Sequence, residues 1–251
     1  MKKSTVLRAI LLNNEAVDLL ERGENEGAIA AFTNSLEILR PLLAGIEDHS
    51  SICEKEHHME VDHDLAEQSG PEILMHPPVE TTCCSSGIAA SQSLMKARNK
   101  HYEKQHFVFQ DPITIPFEAI KSDPSARFFT KLSMVIIFNL ALSFHLSALE
   151  HVSVPRLLRA KRLYEFAFQM HLQDDCDVTL LYSLALMNNL GLIYNSLSDL
   201  DRSSQCFEHM LATMMFLLES DDARTIKQWD GLLSNVIGLI FKEPCSVASA
   251  A

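Results

Sequence analysis

The chain has 251 residues, 47% of them hydrophobic, and a formal net charge of -12 from 33 acidic and 21 basic side chains. That length buries a core of ordinary size, while an acidic chain without a local Lys/Arg cluster repels phosphate backbones, which argues against nucleic-acid partners. Only 8 glycines and 9 prolines are present, too few turn-formers for a strand-rich protein, so the expected class is all-α.

The first residues, MKKSTVLRAILLNNEAVDLL, follow an amphipathic pattern interrupted by Asn13, Asn14 and Glu15, unlike the unbroken apolar run of a signal peptide. Residues 4–42 predict an N-terminal helix pair. Val6, Ile10, Val17 and Leu20 line the first helix, Gly23 and Asn25 break it, and the second runs from about Glu26 until Pro41 ends it.

Residues 45–105 differ in composition. Between Gly45 and Gly70 there are eight acidic residues against one lysine, with four histidines. Pro71, Pro77, Pro78 and the small-residue run TTCCSSGIAAS follow. Such a stretch buries too little apolar area to offset its ordering entropy, so a disordered linker is predicted, with a short helix around Ser91 to Lys104.

Residues 106–124 open with HFVFQDPITIP, an alternating run rich in Phe, Val, Ile and Thr. Pro112 and Pro116 bar it from the middle of a sheet, so it is expected to lie extended on the helical body. From 125 to 242 helices are predicted over 125–150, 155–172, 177–197, 200–219 and 223–242, separated by Asp- and Ser-containing turns, and residues 243–251 form a tail. The longest apolar stretch, Met134 to Leu142, contains Asn139 and is too short to cross a bilayer, so no membrane partner is expected. Six cysteines without framework spacing are expected to be free thiols of a reducing compartment. The cytoplasm is the expected location, with the nucleus left open.

Within these helices a spacing recurs. Met187-x2-Leu190-Gly191-x2-Tyr194 is followed by Ser203-x3-Phe207, and Ile137-x2-Leu140-Ala141-x2-Phe144 by Ala160-x3-Tyr164. Leu12-x2-Glu15-Ala16-x2-Leu19 is followed by Gly23 and Ala28-x3-Phe32. These strings resemble the tetratricopeptide (TPR) repeat, a helix pair of roughly 34 residues with the pattern W-x2-L-G-x2-Y and then A-x3-F. The gap from Ala141 to Ala160 is seven residues longer than the standard one, and Glu15 replaces the usual Leu. IIFNLALSFHLSAL, LYEFAFQMHL, NNLGLIY and CFEHMLATMMFL, in that order, are also similar to TPR-like proteins of diatoms, a resemblance that implies the fold alone. It implies a superhelix of antiparallel helix pairs, with a last helix around Trp229, Leu232, Val236 and Ile240 capping its open end.

TPR grooves hold peptides, and alignment of the repeats puts Asn14, Asn139 and Asn189 at one groove position. An Asn amide carries donor and acceptor together and can pair with any peptide backbone. Asn188 precedes Asn189, and Asn195 and His145 fall one turn further on the same side. These six are the candidate partner-binding residues. Two other readings stay open: the Asn side chains bond neighbouring helices, or the 106–116 segment fills the groove in cis. TPR domains that grip chaperone carboxylates place Lys and Arg where this chain has Val17, Phe138, Leu142 and Leu192, so that ligand is not expected.

Cys53, His57, His58 and His63 offer zinc-type ligands without a second Cys/His pair to close a structural site, and no phosphate-binding, nucleophile-elbow or zinc-protease motif occurs. The expectation is therefore a non-enzymatic adaptor or scaffold without catalytic residues, metal or cofactor, binding a protein or peptide. A self-associating helical subunit and a metal-dependent enzyme using the His-rich segment are the alternatives.

Overall fold

The computed structural model describes residues 2–53, 106–117, 125–173, 180–219 and 226–240. The chain is all-α. Seven helices appear among these residues and no strand: α1 (Lys2–Glu21), α2 (Asn25–Cys53), α3 (Ala126–His151), α4 (Val154–Gln173), α5 (Leu180–Ser196), α6 (Leu200–Glu219) and α7 (Trp229–Ile240). Residues 106–116 have no helical structure and lie against the helices. The sequence placed most helix ends within three residues. It erred at α7, where 226–228 form the approach to a helix that starts at Trp229 rather than at 223.

Each helix packs chiefly on a neighbour in sequence: α1 on α2, α2 on α3, α3 on α4, α5 on α6 and α6 on α7. Turns of two or three residues join α1 to α2, α3 to α4 and α5 to α6, which obliges the chain to double back each time. All three turns use one device, a left-handed residue just past the helix: Gly23 (φ 78), Val152 (φ 51) and Ser198 (φ 65). At the first, the Gly23 amide donates to the Leu20 carbonyl and the Glu24 amide to the Leu19 carbonyl, both at 2.9 Å. Ser198 and Asp199 repeat the arrangement onto Asn195 (3.1 Å) and Tyr194 (2.9 Å), so the last carbonyls of each helix are satisfied. The turn comes nine residues after Asn14 and after Asn189, but thirteen after Asn139. The extra length noted between Ala141 and Ala160 therefore lies in the helices and not in the connection.

Small residues set the close contacts within pairs. A Cβ on Gly191 would sit 2.9 Å from the Phe207 ring, and the Ser203 hydroxyl donates to the Gly191 carbonyl at 3.0 Å. Across the first pair the Ser35 hydroxyl donates to the Ala9 carbonyl at 2.8 Å. Helix α5 is buried without a break from Tyr182 to Tyr194, as a helix enclosed by neighbours on every side requires. The same burial explains α3. Arg127–His151 is long and apolar enough to cross a membrane by length and composition, yet 83% of its most apolar window is buried inside the protein.

Pro41 does not end the second helix, which continues to Cys53. A proline inside a helix costs ~3 kcal/mol, but Leu39 before it is fully buried and Leu42 after it packs on the core. Each such side chain contributes roughly 1.5–3 kcal/mol when fully buried, enough to carry the helix through. The first nine residues assigned to a linker, 45–53, are therefore helical. The rest of that linker, 54–105, with the short helix expected there, lies outside the described residues, as does the 243–251 tail.

A β-branched residue in left-handed geometry is strained, and Val152 is one. Val152→Gly should stabilise the fold by about 1 kcal/mol, which raises the melting temperature by roughly 2–4 °C in a chain of this size. Thermal unfolding followed by circular dichroism checks this; an unchanged or lower midpoint would show that packing of the Val side chain outweighs the strain.

Candidate functional site

The odd-numbered helices α1, α3, α5 and α7 each place a clamping asparagine along a common face, and the backbone of 106–116 runs across all four. Asn14 accepts from the Ile115 amide (3.0 Å) and donates to the Ile115 carbonyl (2.9 Å). Asn139 does the same with Ile113, at 2.8 Å in both directions. Asn189 holds Phe109 at 2.9 Å both ways. Asn235 accepts from the Phe107 amide at 2.9 Å and donates to its carbonyl at 2.6 Å. Each carboxamide thus closes a two-point clamp on one residue, with oxygen to N–H and nitrogen to C=O, a pairing that fixes the amide orientation.

A second layer holds the clamps in place. Asn139 passes its other N–H to Asn13 Oδ1 (3.0 Å), and Asn13 donates to Asn14 Oδ1 (3.1 Å) and to the Ile113 carbonyl (3.3 Å). At the other end Asn235 donates to Asn188 Oδ1 (2.7 Å), while Asn188 donates to Asn189 Oδ1 (3.0 Å) and to the Phe107 carbonyl (3.1 Å). Asn189 uses its remaining N–H on the Tyr164 hydroxyl at 3.1 Å. The middle repeat has Phe138 where the outer ones have Asn13 and Asn188, and here the contact is aromatic. Phe138 lies 6.4 Å from the Phe109 ring, 5.7 Å from Tyr164 and 5.4 Å from Tyr182. The Asn side chains therefore both bond one another across helices and hold the extended segment, so the two alternatives left open by the sequence describe one network.

The clamped residues, 107, 109, 113 and 115, are all odd-numbered, as alternation in extended backbone requires. Pro112 and Pro116, which have no N–H to offer, fall on even positions. Residue 111 shares the odd register but meets no Asn; its carboxylate accepts from the Gln228 side chain instead. Side chains also dock. Val108, Phe109 and Ile115 are buried, and Phe107 occupies the space that a side chain at Gly231 would need, since a Cβ there would lie 2.4 Å from its ring.

Of the six candidates, Asn14, Asn139, Asn188 and Asn189 belong to this row. Asn195 does not: it sits half-buried in the last turn of α5, where its carbonyl takes the Ser198 amide. His145 does not either. It is fully buried, edge-on to Tyr164 at 6.1 Å, and its Nδ1 has no hydrogen-bond partner. Sequence reasoning missed Asn235, because Val236 and Ile237 follow it in place of the Leu-Gly pair used for alignment. The signal that remained was Gly231 one turn earlier on an otherwise bulky apolar helix.

The Cys53–His63 cluster lies outside the described side chains, and among the described residues no group of three or more potential metal ligands occurs. Burial pushes the Cys206 thiol up to about 12, which keeps it protonated and unreactive near neutrality. No family model, curated protein or solved structure matches this chain.

Burial also holds the His145 imidazole down to about 4, from an ordinary value of 6.5. The unfolded chain therefore binds the extra proton between those values, and His145 contributes full stability above pH 6.5 that is lost as pH falls towards 4. The loss amounts to about 3 kcal/mol. His171 and His209, half-buried, are lowered in the same direction by desolvation, with His209 adding to the effect at His171. Melting should thus fall steeply from pH 6.5 to 4, and His145→Phe should remove the largest share of that fall. A variant as acid-sensitive as wild type would contradict the assignment.

Proposed function

We propose that this protein is a non-enzymatic interaction module, a TPR-like superhelix closed by α7, whose Asn-lined groove binds an extended segment of a partner protein. The observation that supports this reading is the two-point clamping of Phe107, Phe109, Ile113 and Ile115 by Asn235, Asn189, Asn139 and Asn14. These clamps contact only main-chain atoms, so a partner peptide offers them the same N–H and C=O groups as the chain's own segment. The 106–117 segment then acts as a resident occupant that a partner displaces.

Affinity capture from a cell lysate tests the reading, with wild type beside an Asn139→Ala, Asn189→Ala double variant shown by circular dichroism to be folded at the capture temperature. Partners retained by wild type and lost by the variant are the expected result; an unchanged partner list would refute it. A self-associating subunit is the second reading. The observation that favours it is the exposure of Met215 (58%), Phe216 (61%) and Leu218 (64%) near the end of α6. A concentration-dependent sedimentation coefficient that the Asn substitutions leave unaltered would favour it over the groove.

A further inference from the structure

We infer that the Asn face takes extended peptides in one polarity and one register, with aromatic residues at two alternate positions and a buried apolar residue six positions after the second. The class is F-x-F followed by an apolar residue at the position of Ile115, with proline admitted only at positions that no Asn clamps. This deepens the groove reading and rests on it.

Polarity follows from the order of the clamps. Phe107 is held by α7, Phe109 by α5, Ile113 by α3 and Ile115 by α1, so a bound strand runs opposite to the order of the helices. The clamps alone leave the register open, because every second residue of any extended peptide offers the same N–H and C=O. Side chains remove that freedom at two places. At one end, the absence of a Cβ on Gly231 leaves room against α7 that the Phe107 ring fills, with its Cγ 2.4 Å from where that Cβ would be. Two residues on, Phe109 is buried edge-on to Phe138, which packs at a tilt against Tyr164 and Tyr182. A peptide slipped by two residues would put Phe109 against Gly231 and leave no aromatic ring against Phe138.

The prolines supply an exclusion rule. Pro112 and Pro116 are tolerated because their even positions meet no Asn. A proline at a clamped position would leave an Asn oxygen without its donor in a buried setting, and the ring would occupy the space of the lost N–H. Backbone clamps thus reject sequences even though they read no side chain.

The test is fluorescence anisotropy with a labelled peptide of residues 106–117 and full-length protein. In a Phe109→Ala chain, whose own segment is weakened, the peptide should bind at least ten-fold more tightly than to wild type. Ile113→Pro and Phe109→Ala versions of the peptide should each bind at least ten-fold more weakly than the unaltered one, and Thr114→Ala should match it. A Gly231→Ala chain should reject the unaltered peptide yet bind its Phe107→Ala version. Should the Phe109→Ala chain fail to fold, the same ranking is expected on wild type at higher peptide concentrations. If all peptides, a scrambled one included, bind alike, the register is overturned while the groove reading stands; if none binds either chain, both fall.

Discussion

A buried stretch of extended backbone must have its N–H and C=O groups paired, and a lone strand has no neighbouring strand to pair with. Residues 106–116 meet that constraint by borrowing side chains. Four asparagines from four helices stand in for the missing sheet partner, each supplying one donor and one acceptor. An unpaired buried donor or acceptor costs roughly 1–3 kcal/mol, so a missing Asn would make this strand a liability. With the row complete, Phe109 and Ile115 are buried at no such cost, and the segment ties α1, α3, α5 and α7 together along one face.

The helix pairs are organised to present that row. Similar left-handed turns at Gly23, Val152 and Ser198 return the chain after α1, α3 and α5, which puts the odd-numbered helices side by side. Close approach within pairs, as at Gly191 against Phe207, leaves the opposite side of each odd helix free for its asparagine. Phe138 replaces the second-layer Asn in the middle repeat, where an aromatic cluster with Phe109, Tyr164 and Tyr182 substitutes for a hydrogen-bonded one.

Much of this was legible in the sequence. Periodicity gave the helices, and the shared position of Asn14, Asn139 and Asn189 gave three of the four clamps before any geometry. The alternation and prolines of 106–116 gave an extended segment that could not be a central strand. Three features were not legible, each for a physical reason. Pro41 breaks a helix by local rules, but tertiary burial of Leu39 overrides them. Asn235 lacks the flanking motif because bulky Val236 and Ile237 follow it in place of the Leu-Gly pair. His145 was expected on the groove side, yet its ring turns inward to Tyr164; six residues after Asn139 it lies about 240° around the helix, well off the asparagine face.

Amide hydrogen exchange of the full-length protein, resolved residue by residue, tests the clamp arrangement most directly. The amides of Phe107, Phe109, Ile113 and Ile115 should exchange roughly 100-fold more slowly than those of the exposed residues Gln110, Asp111 and Thr114. Asn139→Ala should release Ile113 first. Uniformly fast exchange across 106–116, or protection without that alternation, would contradict the account that the asparagine row holds this strand.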